Sequence, residues 1–301
     1  MDGITDPVFR KIILEQRRPD VFFTEFTNCE AILEAGEKVI KQRLGFDPKE
    51  QPIVAQIWGK NPESFKKVAK IIKDLGFAGI DINMGCPVRI VLKNGTCSAL
   101  IRNPSLAGEI IKATKKGSGG LPVSVKTRIG FEKSNLDEWL GFLLKQDLAA
   151  VSIHLRSVRE LSKVPAHWEL IPEIIALRDK IAPDTLIIGN GDIKDLGEVK
   201  EKYKQYKCEG FMIGRGILTN PWVFNPKINP EKVSIKERLK LFLHHIELFE
   251  KSGNPYFEIL KKYCKIYINN FPEASTIREK IMQIKSLDEM KNAVEMVLET
   301  Y

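Results

Sequence analysis

Seven short apolar runs, each followed by a longer helical pattern or a polar turn, constrain the fold of this 301-residue chain more than any single residue does. The runs fall at 21–23, 52–57, 79–82, 122–127, 150–154, 185–188 and 210–213, and the clearest helical patterns at 62–75, 104–115, 136–146, 168–180 and 196–206. Strands that are apolar on both faces need cover on both faces, and a helix after each strand supplies it, as in a parallel sheet. Several runs end in polar residues: Gln56, Asn83, Lys126 with Arg128, His154, and Asn190. A (β/α)8 barrel carries its site at those C-terminal strand ends, whereas a doubly wound sheet is the alternative architecture. Seven strands are one short of a closed barrel, and the chain opens on a loop and a helix, Met-Asp-Gly-Ile-Thr-Asp-Pro-Val-Phe-Arg10. The expectation is an α/β fold, a (β/α)8 TIM barrel whose first strand is missing from this chain, with Met1 an internal methionine. The alternative is an open or seven-stranded sheet, which leaves unpaired edges.

After about residue 230 the strand pattern stops. Ser234-Ile-Lys-Glu237 is a capping-box sequence, and Ile235, Leu239, Phe242, Ile246 and Phe249 follow at helical spacing until Gly253-Asn-Pro255 breaks the helix. A second helix is expected over 257–268, and Ser286-Leu-Asp-Glu289 reads as a capping box opening a last one. The reading therefore divides the chain into a barrel over 1–228 and a small helical bundle over 229–301. A net charge of +8 favours a polyanionic partner, and only +2 of it falls in 232–301, so such a surface is expected on both segments. Five dispersed cysteines, without a CxxC pair, read as reduced thiols in a cytoplasmic protein and not as a zinc site or disulfide framework. No apolar stretch reaches the length of a membrane span, and no metal site is expected.

The run Gly79-Ile-Asp-Ile-Asn-Met-Gly-Cys-Pro87 leads a buried strand into a tight polar turn. A thiol there stands at the rim of a barrel site, and an unperturbed cysteine is mostly protonated at neutral pH, hence able to act as an acid. The plainer reading of Cys86 is a small buried hydrophobe. Val-Ser-Val-Lys-Thr-Arg128 places Lys126 and Arg128 on one side of a strand, where they meet an anion, a ligand, or a carboxylate such as Asp81 or Asp192. Gly-Asn-Gly-Asp192 and Gly-Arg-Gly216 follow the last two strands, the usual phosphate turns of such barrels. His154 and Gln56 read either as ligand contacts or as satisfied core polar groups. His167, His244 and His245 read as structural or exposed, and Cys29, Cys97, Cys208 and Cys264 as packing residues.

Taken together, these motifs resemble those of the tRNA-dihydrouridine synthases over nearly the whole chain. Thr24-Glu25-Phe26, Gln56-Ile-Trp-Gly59, Asp81-Ile-Asn-Met-Gly-Cys-Pro87, Lys126-Thr-Arg-Ile-Gly130, His154-Leu-Arg156, Gly189-Asn-Gly-Asp192 and Met212-Ile-Gly-Arg-Gly216 occur in the family's order. Residue by residue, the resemblance implies that Cys86 is a proton donor and that Met1, Asp2, Gln56, Lys126, His154, Asn190, Gly191, Asp192, Gly214 and Arg215 contact FMN. It places Asn83 and Arg128 at the target uracil. It implies NADPH (or NADH) as reductant, tRNA as the partner of a helical C-terminal domain, and no obligate protein partner. The implied reaction sends hydride to C6 and a proton to C5 of specific D-loop uridines, giving 5,6-dihydrouridine. The chain departs from the family pattern at Leu155, where Gly is usual, and at Ser157, where Thr is common. A dihydroorotate dehydrogenase-like FMN enzyme and a catalytically inactive tRNA-binding relative are the rival readings.

Overall fold

Eight strand segments form one parallel sheet in sequence order. They are β1 (Phe22–Phe23), β2 (Thr27–Asn28), β3 (Ile53–Trp58), β4 (Gly79–Asn83), β5 (Val123–Arg128), β6 (Ala150–His154), β7 (Leu186–Asn190) and β8 (Gly210–Met212). β1 and β2 pair with the two ends of β3, Phe22 beside Ile53 and Thr27 beside Ile57, so together they fill one strand position. The seven positions read from the sequence are thus the seven observed. The protein is seen in a computed structural model that describes residues 3–269 and 271–301, and among these no ladder joins β8 back to β1. Sequential, all-parallel order with a helix after most strands is the barrel-type α/β arrangement, not a doubly wound sheet, whose strand order reverses.

The chain divides into two compact units, one spanning Asp20–Gly214, the other comprising residues 3–19 and 215–301. In the first, Ile53, Ala55, Ile57, Ile80, Ile82, Val125, Val151 and Ile153 are fully or almost fully buried along the sheet. Helices Pro62–Asp74 and Pro104–Ser118 pack side by side, each opened by an asparagine N-cap and a proline in its first turn. The single helix expected over 136–146 is instead a wide turn, Leu136–Leu140, followed by a short helix, Gly141–Leu144. Trp139 explains the anchoring of this segment: it is buried, and its indole N–H donates to Thr127 Oγ1 at 2.9 Å.

In the second unit, helix Pro7–Gln16 packs against helix Ile235–Ser252. Tyr263 explains why residues 3–19 join this unit, beyond the 229–301 read from sequence: its hydroxyl donates to Ile4 O and lies 3.0 Å from Asp6 Oδ2. The Ser234 capping box is complete, with Glu237 N donating to Ser234 Oγ and Ser234 N to Glu237 Oε2. The box read at Ser286 is only half formed: Ser286 caps Glu289 N, while the Glu289 carboxylate takes the N–H of Lys285. The helix expected over 257–268 is two short ones, Glu258–Lys261 and Cys264–Tyr267, and a further helix, Ala274–Gln283, has no counterpart in the sequence reading.

Candidate active site

Strand register lines up the polar residues in rows. Gln56 stands beside Asp81 and Asp81 beside Ser124; Asn83 stands beside Lys126; Arg128, His154 and Asn190 form a third row. Because side chains alternate along a strand, all of these lie on one face of the sheet, towards its C-terminal edge.

The turn after β4 is built on Asn83. Its Oδ1 accepts the backbone N–H groups of Gly85 (3.1 Å) and Cys86 (3.0 Å), closing the chain into a tight loop that leaves Cys86 half-buried. The Cys86 carbonyl accepts the Ser98 hydroxyl at 2.7 Å. That bond brings along Cys97, a buried residue at φ 52° whose thiol is hydrogen-bonded to Cys86. This bond and burial hold the Cys97 thiol well above the usual range, so it stays protonated. Sequence alone reads Cys97 as packing; no local signal marks it, because it reaches Cys86 only through the loop over residues 87–96.

Lys126 donates to Asn190 Oδ1 at 3.0 Å, and Asn190 Nδ2 donates to Met212 O at 2.8 Å. The lysine is enclosed by protein although part of its surface still meets solvent, and burial lowers its pKa to about 8 against the attraction of Asp81. Asp81 is fully buried; burial raises its carboxyl to about 6, opposed by hydrogen bonds from Ser124 and Gln56 and by the nearby Lys126. Of the two carboxylates expected as partners for this strand, Asp81 is the one that faces Lys126. Asp192 instead meets the buried Arg156 and the backbone N–H of Ala166.

Arg128 is almost fully buried, and its Nε and Nη1 donate to backbone. Nε donates to Gly85 O, and Nη1 to Ser157 O and Leu161 O, each at 2.9 Å. It therefore braces the Cys86 turn against the loop after β6.

Beyond β7 the chain turns at Gly189-Asn-Gly-Asp192. A side chain at Gly189 would strike the Trp168 ring, and Gly191 has φ +135° with Ala166 pressed against its Cβ position. Trp168 fastens this turn by donating its indole N–H to Gly191 O at 3.0 Å. His154 sits beside the turn and its Nε2 accepts from Arg156 at 3.1 Å. Leu155, the departure from the family pattern, is fully buried, so its side chain adds packing and leaves the strand-end face unobstructed. Gly214 leaves open space, with only Asn190 Nδ2 near its Cβ position at 3.9 Å. Arg215 is exposed and opens the second unit in a short turn, Arg215–Leu218. Met1 and Asp2 lie outside the described residues.

The donor set suits a flavin. Lys126 keeps N–H groups beyond its bond to Asn190, and the Gln56 and Asn190 amides each keep one N–H beyond the bond that Asp81 or Met212 accepts, as a pyrimidinedione edge requires, while the turn at Gly214 leaves space for a phosphate. Among the described residues no cluster of three His, Cys, Asp or Glu could hold a metal ion, and no helix is long and apolar enough to cross a membrane.

The sheet and its polar edge define a barrel-type α/β enzyme. The family model of dihydrouridine synthase (Dus) matches residues 1–301. A probable tRNA-dihydrouridine synthase 2 of Bacillus subtilis (strain 168) is 49% identical over 297 residues, which is 97% of this chain and 90% of the relative. A probable tRNA-dihydrouridine synthase of Staphylococcus aureus (strain COL) is 47% identical over 296 residues, 97% of this chain and 89% of the relative. Among solved structures, histamine dehydrogenase from Rhizobium sp. 4-9 superposes with a TM-score of 0.53 at 12% identity, covering 82% of this chain and 47% of that one, a likeness of fold alone. The chain belongs to the dihydrouridine synthase family and is an oxidoreductase.

Proposed function

We propose that this protein reduces the C5–C6 double bond of D-loop uridines in tRNA, with Cys86 as the proton donor. FMN held at this edge would supply the hydride that C6 receives, with NADPH as its reductant. Cys86 delivers the proton to C5, so that hydride and proton together add two hydrogens across the double bond. The observation that carries this reading is the placement of Cys86: a half-buried thiol held by Asn83 in a rigid turn, one strand away from the Lys126 ammonium. Lys126, Gln56, Asn190 and the turn at Gly191 would hold the cofactor in this reading, with His154, Asp192 and Gly214 near its phosphate. The positive charge of Lys126 would favour a bound ring that carries negative charge. Asn83 serves the uracil with the amide hydrogen its other bonds leave over, and Arg128 supports it indirectly, by bracing the turn.

A nucleic-acid substrate is further supported by the surface next to Cys86. A groove of about 520 Å³ is lined by Pro87, Val88, Arg89, Phe131 and Arg159, among others. Arg102 stacks over Phe131 at 3.5 Å, while Val88 and Ile90 stand exposed. Glu132 also lines the groove and pairs with Arg102 and Arg159, which leaves Arg89 as the lining cation for a phosphate and Val88 with Ile90 as apolar surface for a base. The base must leave its stack to reach the thiol.

Replacing Cys86 by Ala tests the reading. The variant is expected to keep the yellow cofactor and to lose about 10²–10⁴-fold in dihydrouridine formation, measured by nucleoside mass spectrometry on unmodified tRNA. Undiminished turnover would remove Cys86 from the mechanism; turnover of free dihydroorotate in place of tRNA would favour the rival enzyme.

A further inference from the structure

We infer that Asp81 is a positioning residue that sets the hydrogen-bond polarity of the Cys86 turn through a chain of two buried amides. Asp81 is fully buried, and Gln56 and Asn83 are 7% exposed. Ser124 Oγ donates to Asp81 Oδ1 at 2.6 Å, and Gln56 Nε2 donates to Asp81 Oδ2 at 2.7 Å. Asn83 Nδ2 then donates to Gln56 Oε1 at 3.0 Å, and Asn83 Oδ1 accepts Gly85 N and Cys86 N.

The direction of every bond in this chain is forced from its two ends. Gly85 and Cys86 offer backbone N–H groups, which only donate, so the Asn83 oxygen must face them and its NH₂ must face Gln56. Gln56 must then present its oxygen to Asn83 and its NH₂ to residue 81, which has to accept. A carboxylate accepts on both oxygens and admits no other arrangement. An asparagine at position 81 offers Gln56 a weaker, uncharged acceptor and admits a second orientation, with its NH₂ towards Gln56 instead of the Ser124 hydroxyl; that orientation reverses Gln56, then Asn83, and leaves an NH₂ pointing at the two backbone donors. A misdirected amide in a buried site loses its bonds outright. The carboxylate thus excludes the reversed state of the turn that carries Cys86. Its importance for turnover rests on Cys86 being the proton donor, but the relay itself does not.

The experiment measures hydrogen exchange at single amides in the full-length protein without tRNA. In Asp81→Asn, exchange at Gly85 and Cys86 is expected to quicken about ten-fold or more, while amides of β5 to β7 keep their protection. The double variant Gln56→Glu with Asp81→Asn restores an acceptor-only group at the centre of the chain. The new carboxylate on β3 accepts both from the new amide on β4 and from Asn83, whose oxygen is again turned to the backbone donors. Protection at Gly85 and Cys86 is expected to return. Unchanged exchange in the single variant, equal loss of protection throughout the sheet, or failure of the double variant to restore it would each overturn the inference. Should the single variant not fold, a folded double variant with wild-type protection supports the relay, and an unfolded one overturns it. The readout is independent of turnover, so loss of dihydrouridine formation in Cys86→Ala stands or falls separately.

Discussion

The Lys126 ammonium donates to Asn190 Oδ1 at 3.0 Å across the width of β6, tying the strand that follows the Cys86 turn to the glycine turn after β7. Burial lowers this lysine to about 8, so it is charged at neutral pH and loses its charge within the range of an ordinary assay. Single-turnover reduction of tRNA is therefore expected to fall as pH rises through about 8. Asp81 opposes this lowering, so Asp81→Asn should move the alkaline limb to lower pH. A limb that stays in place would show that Lys126 does not set it. Stability moves the other way. The folded pKa lies below the unfolded one, so between about 8 and 10.5 the unfolded chain holds more protons, and this group's contribution to stability rises with pH.

Arg128 satisfies three backbone carbonyls from a buried guanidinium. Lysine cannot reproduce that fork. Arg128→Lys is expected to cost about 2–4 kcal/mol in urea unfolding, with the Gly85 and Leu161 carbonyls left short of donors. Wild-type stability in this variant would show that the brace contributes nothing.

Gly191 has a backbone conformation that side chains resist, and a methyl group there meets Ala166. Gly191→Ala should cost about 1–3 kcal/mol and lower the flavin retained per chain, read from visible absorbance after purification. Full retention would place the cofactor phosphate elsewhere.

His245 titrates in the second unit. It is fully buried, its Nδ1 lies 3.0 Å from the Tyr267 hydroxyl, and Nε2 has no hydrogen-bond partner among the described residues. Burial, with His244 adjacent, lowers it to about 3, while Phe9 and Tyr263 pack against its ring. Between about 3 and 6.5 the unfolded chain binds the extra proton, so stability should decline on acidification through that window, by on the order of a few kcal/mol. His245→Phe should flatten this dependence in thermal scans; an unchanged slope would assign it to other groups.

Much of this protein is written in local pattern. Strand positions, the C-terminal edge that carries polar residues, the Asn83–Cys86 turn and the Ser234 cap follow from side-chain alternation, helical period and short-range hydrogen bonding, all set within a few residues. The resemblance to family motifs is what suggests the chemistry proposed for Cys86 and Lys126; periodicity alone leaves the thiol open between an active and a packed one. Other features depend on residues far apart in sequence. Arg128 reaches carbonyls 29, 33 and 43 positions away, Asp192 meets Arg156 and not Lys126, and Cys97 arrives beside Cys86 by way of a loop. The order Asp81, Gln56, Asn83 exists only because β3 and β4 lie in register. A sequence states which donors and acceptors a chain owns. Which of them come within 3 Å, and so which amide must face which way, is settled only when the strands are laid side by side and the buried groups have no water left to turn to.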